Sequence, residues 1–300
     1  MHQSRSHIDK SGLTYISCNS VEVPSRVGLT TLTEGGVMKK VWIVLIAIAL
    51  IMAAGTVQAK EWKVVRIGVE GAYPPFSWVT PSGELKGFDI DIARALVEAM
   101  GAEIKMVPQD WDGIIPALLA RKYDAIIASM SITEERKKKV AFTNKYYNTP
   151  GKFVCKKGAM EDFTRAEVAK ATAGKKIAVQ RATIHDRFVS EQGAKDAVIK
   201  RYGTQDDAYL DLVAGRVDML LADSVAIMDG FLNKPEGQDY QFIGPDLSEK
   251  KYFGEGAGIA IRKQDQDLVE MFNKAIAQIR ADGTYKKIQD KYFDFNVYGD

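Results

Sequence analysis

The sequence predicts an α/β protein made of two lobes with related layout, and three observations carry that expectation. From Val64 to about Ile132, apolar strands alternate with amphipathic helices, the pattern of a largely parallel sheet with helices packed on it. After "YYNTPGKF" the alternation starts again and runs to "LLADSV". The two runs also share a phrase. "IPALLARKYDAIIASMS" and "YLDLVAGRVDMLLADSV" both read helix, basic residue, Asp, apolar strand, polar end. Two lobes accommodate this repetition better than one continuous sheet.

Taken in order, Val64 to Val69 is an apolar strand that ends in the Gly- and Pro-containing loop "EGAYPPFSW". Phe88, Ile92, Leu96 and Met100 recur at helical spacing, and Gly101 stands where a helix stops. "EIKMVPQDW" is a second strand with Trp111 at its end, "WDGIIPALLARKY" a helix and "DAIIASMSI" a third strand. In the second run "KKIAVQ", "AVIKRYGT" and "VDMLLADS" read as strands, with "TIHDRFVSEQG" and "QDDAYLDLVAGR" as the helices between them. The closing segment from Asp267 to Phe293 is an amphipathic helix pair broken at Asp282-Gly283.

Ahead of these elements, Lys39 and Lys40 precede an uninterrupted apolar run from Val41 to Ala54, followed by the small-residue pattern Val57-Gln58-Ala59. This is the layout of a secretory signal peptide over 38–59. The run falls short of the roughly 20 residues that a spanning helix needs. No cysteine marks a lipoprotein cleavage point. Residues 1–37 are read as an over-extended start, with Met38 the initiator and a mature chain from about Lys60. That chain keeps one cysteine, Cys155, because Cys18 lies ahead of it. Its place in "KFVCKKG" suggests a buried strand position rather than a nucleophile.

Of the 300 residues, 46% are hydrophobic and 27% charged, and 41 Lys and Arg against 39 Asp and Glu give a formal charge of +2. A nucleic-acid partner, which calls for a strongly basic face, is not expected. His2, His7 and His185 are the only histidines, so a metal site built on several His or Cys has no ligands. No G-x-S-x-G, P-loop or G-x-G-x-x-G occurs. Neither catalytic residues nor a cofactor are expected.

The residues that can carry chemistry lie at strand ends. Ser131-Ile132-Thr133-Glu134 reads as a capping box that opens a helix after a buried strand. In open α/β sheets ligands bind at the carboxyl ends of strands. The free amides of a helix start favour an anion. Arg136, one short turn on, has a planar fork suited to a carboxylate. The same pattern also describes a capped surface helix with Arg136 in water. Asp223 ends an apolar strand, where it could pair an ammonium or simply cap a helix. Thr183 opens another helix after a strand. Glu70 and Tyr73 follow the first strand, and Trp111 the second. A carboxylate beside two aromatics can hold a long cationic side chain, although such aromatics often belong to the core.

These segments together have a specific resemblance. "RIGVEGAYPPFS", "GFDIDIA", "SMSITEERKKKVAFTNKYY", "LADSVA", "KYFGEGAGIAIRK" and "ADGTYKKIQDKYFDFNVYGD" resemble the periplasmic solute-binding proteins of polar amino-acid ABC transporters, across the whole of 60–300. The lysine/arginine/ornithine- and histidine-binding group is nearest, and "VQRATIHDRF" and "VEGAYPPF" look most like its arginine/ornithine-binding members.

The resemblance implies a type II periplasmic-binding-protein fold, with crossovers near Asn148–Gly151 and Phe253–Gly256. Lobe 1 would comprise 60–149 and 254–300, and lobe 2 would comprise 150–253. It implies a monomeric receptor that closes on a basic L-amino acid, arginine first, and delivers it to a membrane permease. The ligand carboxylate would meet Arg136 and amides near Ser131 and Thr183. Its ammonium would meet Asp223, Ser131 and the Ser129 region. Its side chain would lie between Tyr73 and Trp111, with its distal cation at Glu70.

Departures bear on the substrate. The group often has serine where Ala128 stands and glutamine where Ile184 stands, and some members have cysteines at the positions of Val97 and Ile104. Glu70 is longer than the aspartate of some members. Glutamine, histidine or an arginine-derived opine are the rival ligands. A periplasmic enzyme resembling cyclohexadienyl dehydratase is the rival class on the same fold.

Overall fold

The computed structural model describes residues 61–299, so the signal peptide expected over 38–59 and the over-extended start expected over 1–37 lie outside the described residues. In chain order the strands are β1 (Val64–Val69), β2 (Ala72–Tyr73), β3 (Ser77–Val79), β4 (Leu85–Lys86), β5 (Glu103–Pro108), β6 (Ala125–Ile126) and β7 (Ala141–Tyr147). They continue with β8 (Gly151–Lys156), β9 (Lys176–Gln180), β10 (Val198–Tyr202), β11 (Met219–Asp223), β12 (Tyr240–Leu247) and β13 (Ala257–Ile261).

Two five-stranded sheets result, ordered β5-β1-β6-β13-β7 and β10-β9-β11-β8-β12. Each is parallel across its first three strands and antiparallel across the rest. The repeated sequence phrase therefore marks a repeated topology, while the expectation of a largely parallel sheet holds only for three of the five strands of each sheet. The chain passes from the first sheet to the second between β7 and β8, and returns between β12 and β13.

Strand residues pack against apolar clusters on both sides of each sheet. In the first, Val65, Ile67 and Val69 join one cluster while Ile126 and Ala128 join another. In the second, Phe153 and Cys155 face one way and Val154 the other. Cys155 is a buried free thiol at a strand position, as its sequence context suggested.

The helix Phe88–Ala99 buries Phe88, Ile92 and Leu96 as the spacing predicts. It ends just before Gly101, whose φ of 69° favours glycine. The helix Gln266–Ala281 stops at Asp282, and Gly283 at φ 84° turns the chain into Thr284–Gln289. The third strand is shorter than expected. Only Ala125–Ile126 pairs as β6, and beyond it Ser129 adopts φ 53°. The capping expectation is also corrected. The helix after it is Glu134–Lys137, and its cap is Thr133, not Ser131.

Behind the first sheet, Arg262 is 1% exposed and holds several elements at once. It donates to Asp265 at 2.7 Å, to Asp124 at 3.1 Å, and to the Leu118 and Tyr123 carbonyls at 3.2 and 2.5 Å. Asp124 also receives two bonds of 2.9 Å from the Arg66 guanidinium. Burial pushes the Asp124 carboxyl up, but the bonds from Arg66 and Arg262 outweigh it and hold the group below its ordinary range. Breaking a buried charge network by removing one partner costs about 3–5 kcal/mol. We therefore expect R262M to lower unfolding free energy by about that amount. Urea denaturation of ligand-stripped protein checks this, and an unchanged midpoint would show that the network adds nothing to stability.

Candidate functional site

Two adjoining cavities lie between loops of the first and second sheets. One is lined by Glu70, Tyr73, Trp111, Ser129, Ser131, Arg136, Gln180 and Thr183 among others. The second shares Tyr73, Ser129 and Ser131 with it and adds Thr149 and Asp223. The structure thus brings together all of the sequence-derived candidates. They arrive there because strands end there: Glu70 follows β1, Gln180 closes β9 and Asp223 closes β11.

Arg136 is partly buried. Its Nη1 donates to the Ser131 carbonyl at 3.0 Å, and its Cζ lies 5.2 Å from the Trp111 ring centroid. It forms no ion pair among the described residues. Desolvation lowers its pKa to about 10, with a smaller opposing effect from Glu135, so it remains charged at neutral pH. Trp111 opens a short turn after β5, and its Nε1 donates across the cleft to the Ala182 carbonyl at 3.4 Å.

Asp223 caps a helix, one of the two roles its sequence context allowed. Its Oδ1 caps the next helix by accepting from the Val225 and Ala226 amides at 2.9 and 3.2 Å. Its Oδ2 accepts from the Thr149 hydroxyl, and both residues line the second cavity. Burial pushes its pKa up to about 6, against the opposing hydrogen bonds from Thr149, Ala226 and Val225. Glu70 accepts from Gln180 Nε2 at 2.5 Å. Desolvation raises its pKa to about 7, with the Gln180 bond opposing and Asp89, Asp110 and Asp206 adding to the rise. Neither Glu70 nor Asp223 has a cation within ion-pair distance among the described residues.

Ser129 is held by two hydrogen bonds. Its hydroxyl donates to Asp89 at 2.9 Å and its amide to the Tyr146 hydroxyl at 3.1 Å. Both groups are committed away from the cleft, leaving the carbonyl as the polar group at this position. Ser131 pairs with Ala257 in an isolated bridge. Thr183 caps the helix Ile184–Gln192, accepting from the Asp186 amide at 3.1 Å and donating to the Gln180 carbonyl at 2.8 Å. Tyr73 is buried and stacks on Phe76 with centroids 5.9 Å apart.

The sequence reading missed Gln180, Thr149 and Asp89. Gln180 ends a strand, the signal that selected Asp223, and could have been found by the same rule. Asp89 sits in a helix that reads as amphipathic, yet it is 0% exposed and accepts from Ser129 and from Tyr146 at 2.9 Å. Burial raises its pKa to about 7.

The chain is 54% identical over 238 residues to the L-arginine-binding protein of Pseudomonas aeruginosa, covering 79% of this chain and 90% of that one. It is 39% identical over 264 residues to the lysine/arginine/ornithine-binding periplasmic protein of Escherichia coli, covering 88% and 100%. Among solved structures, an ancestral arginine-binding protein bound to glutamine matches with a TM-score of 0.71 at 35% identity, covering 79% of this chain and 100% of that one. The architecture is the type II periplasmic-binding-protein fold, two α/β lobes with a cleft between them. Residues 65–295 match the bacterial extracellular solute-binding proteins, family 3, and the chain belongs to that family.

Proposed function

We propose that this protein is a periplasmic receptor that captures a basic L-amino acid, arginine first, and hands it to the permease of an ABC transporter. The observation that carries this reading is electrostatic. Around two adjoining cavities stand one guanidinium, Arg136, and two carboxylates, Glu70 and Asp223, none of them in an ion pair among the described residues. An arginine zwitterion supplies every missing partner: a carboxylate for Arg136, an ammonium for Asp223 and a distal guanidinium for Glu70. Each resulting bond is charge-assisted and shielded from water. Tyr73 and Trp111 flank the aliphatic and cationic parts of the side chain, while Ser131 and Thr183 hold its α-substituents with the Ser129 carbonyl.

In this reading residues 60–149 with 254–300 form one moving body and 150–253 the other. The ligand favours closure because it bonds to groups of both. Closure also forms direct contacts across the cleft: Gln180 to Glu70, Trp111 to Ala182, and Arg181 to Asp112 at 3.3 Å. The last pair is half exposed, so its contribution is small. The role is binding rather than turnover, and the protein acts as a monomer after removal of the leader over 38–59.

A second reading rests on the same carboxyl group. With a pKa of about 7, Glu70 is partly protonated near neutrality and can bond a neutral amide, so glutamine is the competing ligand. Charge and pH separate the two. Glu70→Gln removes the anion and keeps the shape, so L-arginine affinity is expected to fall on the order of tenfold to a hundredfold, with L-glutamine affinity nearly unchanged. Titration calorimetry on refolded, ligand-stripped protein reads both, and equal arginine affinity in variant and wild type would sink the distal-cation assignment.

The wild type adds a pH test. A cation at Glu70 requires the ionised form, so below pH 7 each arginine bound must displace a proton. Asp223 adds the same requirement below pH 6. Arginine affinity is expected to rise from pH 5.5 to 8, by roughly tenfold per unit on the acidic side. Glutamine, whose ammonium also needs the ionised Asp223, should gain affinity with rising pH only below about pH 6 and not above it. A flat arginine profile would contradict this reading.

A further inference from the structure

A buried imidazole stands in the cleft. His185 is 8% exposed and lines both cavities, and neither ring nitrogen takes part in a hydrogen bond among the described residues. It is the second residue of the helix Ile184–Gln192, whose first turn is fixed by the Thr183 cap. The ring is tilted against Phe253 with centroids 5.9 Å apart. Its Cδ2–Nε2 edge lies over Gly151, the first residue of β8, where a Cβ would come within 3.2 Å of Cδ2 and 3.3 Å of Nε2. A Cβ at Gly151 would also fall 2.6 Å from the Phe253 ring. The glycine therefore leaves room for both rings at the edge of the cleft.

Burial and the nearby Arg136 charge push the His185 pKa down to about 3, so the imidazole is neutral. A neutral imidazole carries one N–H and one lone pair, and neither is spent on a protein partner among the described residues. Arg136 is the charge whose field reaches the ring. Arg136 and His185 line the same cavity, so a ligand group that pairs with Arg136 there lies on the side of the ring that faces the cleft.

We propose that His185 is a ligand-binding residue that donates a ring N–H to the α-carboxylate of the bound amino acid, alongside Arg136. The proposal rests on the basic amino-acid reading above. It assigns the carboxylate end a side-chain donor from the second lobe, so the carboxylate is gripped from both lobes.

The test is titration of L-arginine into refolded, ligand-stripped wild type, H185F and H185Q. Phenylalanine keeps a flat ring without a donor, and glutamine restores an N–H. H185F is expected to bind L-arginine on the order of tenfold to a hundredfold more weakly, and H185Q to recover most of that loss. In the wild type, the ring 15N signals that disappear in H185Q are expected to shift when L-arginine saturates the protein. H185F that binds as tightly as wild type overturns the proposal, as do ring signals that stay in place at saturation. A wild type that binds no basic amino acid overturns the functional reading itself. A wild type that binds arginine beside an unimpaired H185F overturns this contact alone.

Discussion

Drawing a charge out of water costs several kcal/mol unless an opposite charge or a set of hydrogen bonds replaces the hydration. Around the cleft this protein carries that cost at Arg136, Glu70 and Asp223 without closing any ion pair between them. Elsewhere the same chain solves the problem internally, as where Arg262, Asp124 and Arg66 satisfy one another behind the first sheet. The contrast separates structural charge from receptive charge. In the network the carboxylate of Asp124 is held below its ordinary range, whereas at the cleft Glu70 and Asp223 are raised. A ligand bearing the complementary charges relieves the second situation and leaves the first untouched.

The fold makes such a cleft possible because both sheets direct the carboxyl ends of parallel strands at the same space. Backbone geometry does the fine placement. The left-handed conformation of Ser129 turns its hydroxyl and amide toward Asp89 and Tyr146. The cap on Thr133, rather than on Ser131, leaves the Ser131 carbonyl to receive the Arg136 guanidinium. The position of the arginine head thus depends on where one short helix begins.

Much of this was legible from residues alone. Val64–Val69 is a strand at the bounds its apolar run suggests, and Phe88, Ile92 and Leu96 are buried at their helical spacing. Strand-end polar residues pointed to Asp223 and Glu70, and the repeated phrase pointed to paired lobes. What stayed hidden depends on long-range packing. Nothing local shows that Asp89, in a helix, is sealed beneath Ser129, or that Gln180 reaches Glu70 across 110 positions of sequence. The antiparallel strands of each sheet were hidden for the same reason, since strand direction depends on the partner chosen and not on the strand's own residues.

The central claim is that the distal end of the cleft reads positive charge. L-citrulline keeps the length and shape of L-arginine and replaces the guanidinium by a neutral urea. The direct measurement is therefore competitive titration of ligand-stripped protein with the two amino acids at pH 8, where Glu70 is ionised. The account predicts that arginine binds on the order of a hundredfold more tightly, the difference expected when a charged hydrogen-bonding partner is withdrawn from a desolvated carboxylate. Equal affinities would contradict it and would leave shape, not charge, as the basis of selection.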